Sequence, residues 1–283
     1  MERIITEECI QRYQEYLYEE EKGSATIQKY IRDLRKLMFF AGETELTKKK
    51  MIAYKEALKN SHCYKTSSIN SYLVAANRFL EYMGWYELRV KTYKVQRETF
   101  LSDNRDLTKE EYKRLVETAK RCGKRRLALL LQTICATGLR VSELEMITVQ
   151  AVRKGAANIT CKGKERQILI PRSLQVRLLD YIRREGMTHG PVFHTSGGKA
   201  MDRSNIWKEM KSICELAGVE RDKVFPHNLR HLFAKTFYCM GKDIGKLADI
   251  LGHSSIETTR IYIRTSCREH QKLMEEMKLV FAT

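Results

Sequence analysis

The sequence predicts a mainly α-helical chain of two units with one small β-hairpin. Three observations predict it. Helical periodicity runs through residues 6–83 and lapses between Tyr86 and Asp106. Beyond that, helical patterning resumes and is interrupted once, by β-formers on either side of a K-G-K turn. The expected division is therefore a helical unit over 1–90, a joint over 91–105 and a second unit over 106–283.

The first unit reads as four helices. Thr6 can cap a helix whose apolar face is Cys9, Ile10, Tyr13 and Leu17, and Gly23 and Ser24 end it. A second helix carries Ile27, Tyr30, Ile31, Leu34, Leu37 and Met38 at 3–4 spacing, with Lys29, Arg32, Arg35 and Lys36 on its other face. That basic stripe suits either a grip on a phosphate backbone or a solvated face. Thr47 opens a third helix in "LTKKKMIAYKEALKN"; Ile69, Leu73, Ala76 and Leu80 align in a fourth, "SSINSYLVAANRFLEYM". The stretch "KTYKVQRETFLSDNRD" then loses periodicity and reads as the joint. A helix restarts at Thr108, where T-x-x-E places Glu111 for a capping box. In "AANITCKGKERQILIP", Ile159 and Thr160 precede the turn and Ile168 and Ile170 follow it, a hairpin pattern.

The bulk numbers narrow the function. With 283 residues and 43% hydrophobic content the chain can bury a core. No apolar run is long enough to span a bilayer and no basic-then-apolar leader opens the chain, so a cytoplasmic protein is expected. The net charge is +17, with residues 1–21 at −5 and the rest at +22. Such an excess points to a polyanion, because basic surfaces gain affinity by releasing counterions from phosphates. The eight cysteines include no C-x-x-C pair and read as scattered thiols in a reducing compartment.

Four stretches of the second unit carry chemistry. In "ATGLRVSELEMI", Gly138 breaks an apolar helix and Arg140 opens the next; Glu143 lies one turn on, able to orient that arginine or to be a solvated acid. In "CKGKER", Lys162 and Lys164 sit at the hairpin tip. In "FPHNLRHLFAKTF", Pro226 suits a helix start, and His227 and Arg230, three apart, share a face opposite Leu229, Phe233 and Phe237. His231 points away from that pair and reads as structural or as a helper. In "LGHSSIETTRIYI", Gly252 suits a C-cap, Ser254 and Ser255 suit the next N-cap, and His253 and Tyr262 follow. A phenol is a poor nucleophile near neutral pH unless its surroundings activate it, so Tyr262 is either a core aromatic or part of a reactive site. Each stretch alone has an ordinary structural reading.

Together, the order R…K…H-x-x-R…H…Y and the phrases "ATGLRVSEL", "KGKER", "PHNLRH" and "LGHSSIETTRIY" resemble the tyrosine recombinases, or phage integrases. "SATIQKYIRDLRKLMFF" is similar to the second helix of that family's N-terminal DNA-clamp (core-binding) domain. The resemblance implies a four-helix DNA clamp followed by a catalytic domain. It makes Tyr262 a nucleophile that forms a 3′-phosphotyrosyl link and releases a 5′-hydroxyl. It assigns Arg140 and Arg230 to the non-bridging oxygens, Lys162 to protonation of the leaving oxygen, His227 to base or proton management, and His253 to a hydrogen bond with the phosphate. The turn looks one residue shorter than K-G-x-K-x-R, which favours Lys162 over Lys164.

Physical chemistry supports that set. Guanidinium forks match phosphate oxygens in pairs. A lysine near two arginines becomes a better acid, and a tyrosine near them loses its proton more readily. The chemistry needs no carboxylate cluster, so no metal is expected. The covalent link keeps the phosphodiester energy, so no ATP or other cofactor is expected either. The implied partners are double-stranded DNA sites, a homotetramer or heterotetramer on DNA, and possible accessory proteins. Integrase, dimer resolvase and invertase roles share this chemistry. Helix one begins near Thr6, so an extra N-terminal arm-binding domain is not expected. Two other readings stay open: a type IB topoisomerase and a non-cutting regulator of the same fold. Leu273, Met277 and Val280 predict one more helix in "SCREHQKLMEEMKLVF", which could dock on a neighbouring protomer or on its own domain. Tyr181 and Tyr238 are rival nucleophiles with no His/Arg pair of their own.

Overall fold

A computed structural model describes residues 3–94, 106–161, 164–253, 255–263 and 275–276. The chain forms two compact units, Met1–Arg97 and Glu98–Thr283. Most of the expected joint, most of the tail helix over 266–281, and Lys162 lie outside the described residues.

The first unit holds helices α1 (Glu7–Glu19), α2 (Ser24–Ala41), α3 (Lys48–Asn60) and α4 (Thr66–Tyr82). Thr6 and Thr47 cap α1 and α3 by accepting from the backbone N–H of Cys9 and Lys50. The periodic apolar residues meet in one core that includes Ile10, Leu34, Leu37, Leu73 and Leu80. The basic stripe of α2 is internally partnered. Lys29 and Arg32 pair with the buried Asp33, Arg35 pairs with Glu7, and Lys36 bonds the Tyr64 hydroxyl and lies 4.1 Å from that ring's centre. Its charges are therefore partly matched within the unit.

The segment after α4 is strapped to it. Asn70 and Asn77, two helical turns apart, each hold one residue of that segment through both backbone groups. The Asn77 amide accepts from Val90 N–H (3.0 Å) and donates to its carbonyl (2.8 Å). Asn70 does the same for Tyr93 at 2.8 Å in both directions. Lys55 adds a bond to the Lys91 carbonyl (2.7 Å) and lies over the Tyr93 ring.

The second unit opens with α5 (Lys109–Arg121), whose capping box joins Thr108 and Glu111 as the spacing predicts. Helix α6 (Arg125–Thr137) is apolar nearly all round and ends at Gly138 with φ of +64°. A 3₁₀ turn (Val141–Met146) and α7 (Val149–Lys154) lead to the hairpin of β1 (Ala156–Cys161) and β2 (Lys164–Leu169). Their antiparallel register runs from Ala156 opposite Leu169 to Cys161 opposite Lys164. Ala157, Ile159 and Ile168 are buried while Leu169 is exposed, the alternation of a one-sided strand pair. Helices α8 (Arg172–Arg184), α9 (Arg203–Lys211), α10 (Pro226–Gly241), α11 (Ile244–Leu251) and α12 (Ile256–Arg260) complete the described part, followed by a 3₁₀ turn at Ile261–Ile263. Pro226 stands at the first turn of α10 as expected. One core, including Leu130, Ile134, Ile159, Leu178 and Leu229, fills the unit. A smaller cluster joins Ala234, Leu247, Leu251 and Tyr262, with Phe233, Phe237 and Tyr238 packed on it.

Candidate active site

The turns at the ends of α6 and α11 meet the first half of α10. Gly138 is the pivot of the first turn. A Cβ there would stand 2.4 Å from Phe233 Cδ1 and 3.1 Å from Leu251 Cδ2, and its positive φ disfavours any side chain. Gly138→Ala should lower stability by roughly 2–4 kcal/mol, combining left-handed backbone strain with overpacking. Chemical denaturation measures this; a loss below about 1 kcal/mol would mean the turn relaxes freely.

Arg140 follows as the N-cap of the 3₁₀ turn. Its backbone N–H donates to Glu143 Oε2 (2.7 Å) and its Nη1 to Oε1 (3.0 Å). Glu143 is 4% exposed, so it is a buried orienting carboxylate and not a solvated acid. Its Oε2 also accepts from Arg166 Nη2. Arg166 lies 23 positions from Glu143, so no local pattern links the two, whereas Arg140 and Glu143 share the R-x-x-E spacing.

Arg230, on α10, is 1% exposed. Its Nη1 donates to the Gly138 carbonyl and its Nη2 to the Leu251 carbonyl (2.8 Å) and to His253 Nε2 (2.9 Å). Nε is buried with no partner. Burial first, and the nearby Arg140 charge second, hold the Arg230 pKa below the ordinary guanidinium range, while Tyr262 acts in the opposite direction. Two guanidiniums, at 140 and 166, pair with Glu143, and that of Arg230 lies nearby among two carbonyls and an imidazole. The excess of positive charge suits an anion such as a phosphate.

An arginine amine can only donate, so His253 Nε2 accepts and its ring proton sits on Nδ1, bonded to Thr259 Oγ1 at 2.8 Å. This tautomer orients Arg230. Burial, then Arg230, Arg140 and Arg166, depress the His253 pKa from 6.5 to about 4. As pH falls, the unfolded chain takes the proton first. Stability from this group is complete above about pH 6.5 and drains toward pH 4. Thermal midpoints measured along that range should fall, and less steeply in His253→Gln; an identical slope in that variant would place the loss on other groups.

Burial and the charges of Arg230, His231, Arg140 and Arg203 lower the His227 pKa as well, leaving it an unprotonated base near neutral pH. Tyr262 is 5% exposed and lies among three imidazoles. Ring centres are 5.5 Å away for His227, 5.4 Å for His231 and 5.5 Å for His253, the last near-parallel at 14°. His231 therefore lies against Tyr262 beside His227, where the spacing had it pointing away from the His227–Arg230 face, and its reading as a structural or helper residue stands. Its Nδ1 is 3.1 Å from Asp106 Oδ1, and that contact holds the Asp106 carboxyl below its ordinary range. Tyr181 belongs to the main core and burial raises its pKa; Tyr238 packs on the smaller cluster under Lys242.

The structure thus brings together Arg140, His227, Arg230, His253 and Tyr262, and Lys162 lies outside the described residues. Among the described residues, no group of three or more His, Cys, Asp or Glu side chains could hold a metal ion, and no helix is long and apolar enough to cross a membrane.

Comparison with known proteins adds family evidence. The model of the phage integrase family matches residues 105–269, and that of the phage integrase N-terminal SAM-like domain matches residues 10–86. Tyrosine recombinase XerA of Pyrococcus furiosus is 28% identical over 288 residues, covering 99% of this chain and 97% of the relative. Tyrosine recombinase XerA of Thermococcus kodakarensis is 30% identical over 283 residues, covering 96% of each. A crystal structure of a dimer of lambda integrase residues 75–356 bound to a COC′ core site shares the fold, with a TM-score of 0.74, 15% identity and coverage of 93% of this chain and 96% of that one.

Proposed function

The chain belongs to the phage integrase family and is a site-specific tyrosine recombinase, and from this we propose that Tyr262 is its nucleophile and double-stranded DNA its substrate. Tyr262 Oη attacks the scissile phosphorus. The P–Oη bond forms and the bond from phosphorus to the 5′-oxygen breaks, leaving a 3′-phosphotyrosyl link. His227 takes the phenol proton; Lys162 gives one to the departing oxygen. Arg140 and Arg230 hold the non-bridging oxygens and offset charge that grows in the transition state. His253 completes the phosphate site. In the arrangement seen here it orients Arg230, and the phosphate bond implied by family resemblance calls for its proton on Nε2. Attack by a 5′-hydroxyl from another duplex reverses the step with partners exchanged. Four protomers on two sites would supply the paired cuts, the unit over 1–90 gripping the duplex while that over 106–283 cuts.

The observation that supports this most is Tyr262 packed against His227 and beside the buried Arg230. The test uses a target site selected by binding, made as a nicked suicide duplex. Incubation without metal, followed by a denaturing gel, should show a slow covalent band. Tight binding with no band would favour the non-cutting regulator. Resealing of the same strand with no site preference would favour topoisomerase chemistry.

A further inference from the structure

We propose that Arg166 is a positioning residue that frees the charge of Arg140 for the phosphate and ties together the two turns that hold it. This rests on the proposed role of Arg140. Glu143 is a buried carboxylate shared between two guanidiniums. Without Arg166, Glu143 and Arg140 would form a one-to-one ion pair, and the net charge of Arg140 toward an anion would be cancelled. Arg166 supplies the second cation, so the trio keeps an excess of one positive charge.

The second half of its fork does a separate job. Arg166 Nη1 donates to the Ile250 carbonyl at 2.5 Å, in the last turn of α11. The next turn is built around this side chain: a Cβ on Gly252 would lie 2.3 Å from Arg166 Cδ. Gly252, at φ of +63°, immediately precedes His253. One residue of β2 therefore reaches both the Arg140 turn and the His253 turn. Arg230 spans nearly the same two turns through the carbonyls of Gly138 and Leu251. The difference is that Arg166 also pairs with the acid beside Arg140.

The test separates a charge-freeing role from a plain brace. Single-turnover cleavage is measured on two suicide duplexes, one with the scissile phosphodiester and one with an uncharged methylphosphonate at that position. The neutral linkage has less need of the Arg140 charge. Arg166→Gln should cleave the phosphodiester about a hundredfold more slowly than the parent, and its deficit should shrink at least about tenfold on the methylphosphonate. Its DNA affinity should stay near that of the parent. An equal deficit on both substrates would overturn the proposal and leave a brace. Should Arg166→Gln fail to fold, Arg166→Lys decides. It loses the arm to Ile250 but keeps a cation beside Glu143, so on a charge-freeing role it should cleave the phosphodiester within about tenfold of the parent. A hundredfold loss on both substrates would overturn the proposal. Arg140→Ala is the control: if its deficit does not shrink on the methylphosphonate, the role given to Arg140 fails and takes this inference with it. If Arg140→Ala is relieved and the Arg166 variants are not, only this inference fails.

Discussion

Tyr262→Phe will bind its DNA site about as tightly as the parent and form no covalent adduct. The substitution keeps the ring that packs with Leu247, Leu251 and three imidazoles, and removes only the oxygen. The fold should survive, because volume and apolar contacts are conserved. The chemistry should not, because among the described residues the two rival phenols lie elsewhere: Tyr181 sits in the main core and Tyr238 lies under Lys242. A gel-shift titration and a denaturing gel on the same samples check both halves. An adduct from Tyr262→Phe would move the nucleophile elsewhere.

Arg230→Ala will lose cleavage by about a thousandfold or more while its DNA affinity changes less than about tenfold. The side chain is fully buried and charged, and it serves two carbonyls and an imidazole before any substrate is considered. Its loss leaves the Gly138 and Leu251 carbonyls unpaired, which costs about 1–3 kcal/mol for each buried group. The variant should therefore melt earlier as well as cut more slowly. Arg230→Lys should not restore cutting, since one ammonium cannot reproduce a planar fork that spans both turns. Comparable losses in affinity and in cleavage would show that Arg230 only holds DNA in place.

Helical periodicity placed the elements of the first unit, and Thr6, Thr47 and Thr108 marked helix starts because capping is local chemistry written in adjacent residues. The H-x-x-R spacing put His227 and Arg230 on one face for the same reason. Gly138 and Gly252 were legible as turns, but not as sites where Phe233 and Arg166 press against the backbone. What stayed hidden depends on residues far apart in the chain. Glu143 is buried between Arg140 and Arg166, and the second of these lies 23 positions away. His231 meets Tyr262 because the 3₁₀ turn at Ile261–Ile263 folds back on α10, while Asp106 fixes its ring from before α5. The basic stripe of α2 showed as four cations, but Asp33, Glu7 and Tyr64 as their partners did not.

The asparagine strap sets where this protein can be cut and rejoined by an engineer. Val90 and Tyr93 are bonded to α4 much as a strand is bonded to a neighbour, with two amide side chains standing in for a backbone. A chimaera that transplants the first unit and joins it after residue 83 would leave Asn70 and Asn77 without those partners, and would strip Leu88 and Val90 from the core. The transplantable module is therefore the four helices together with the eleven residues that follow Tyr82, ending at Tyr93. A swap of first units between relatives should carry that short length of chain along as part of the module.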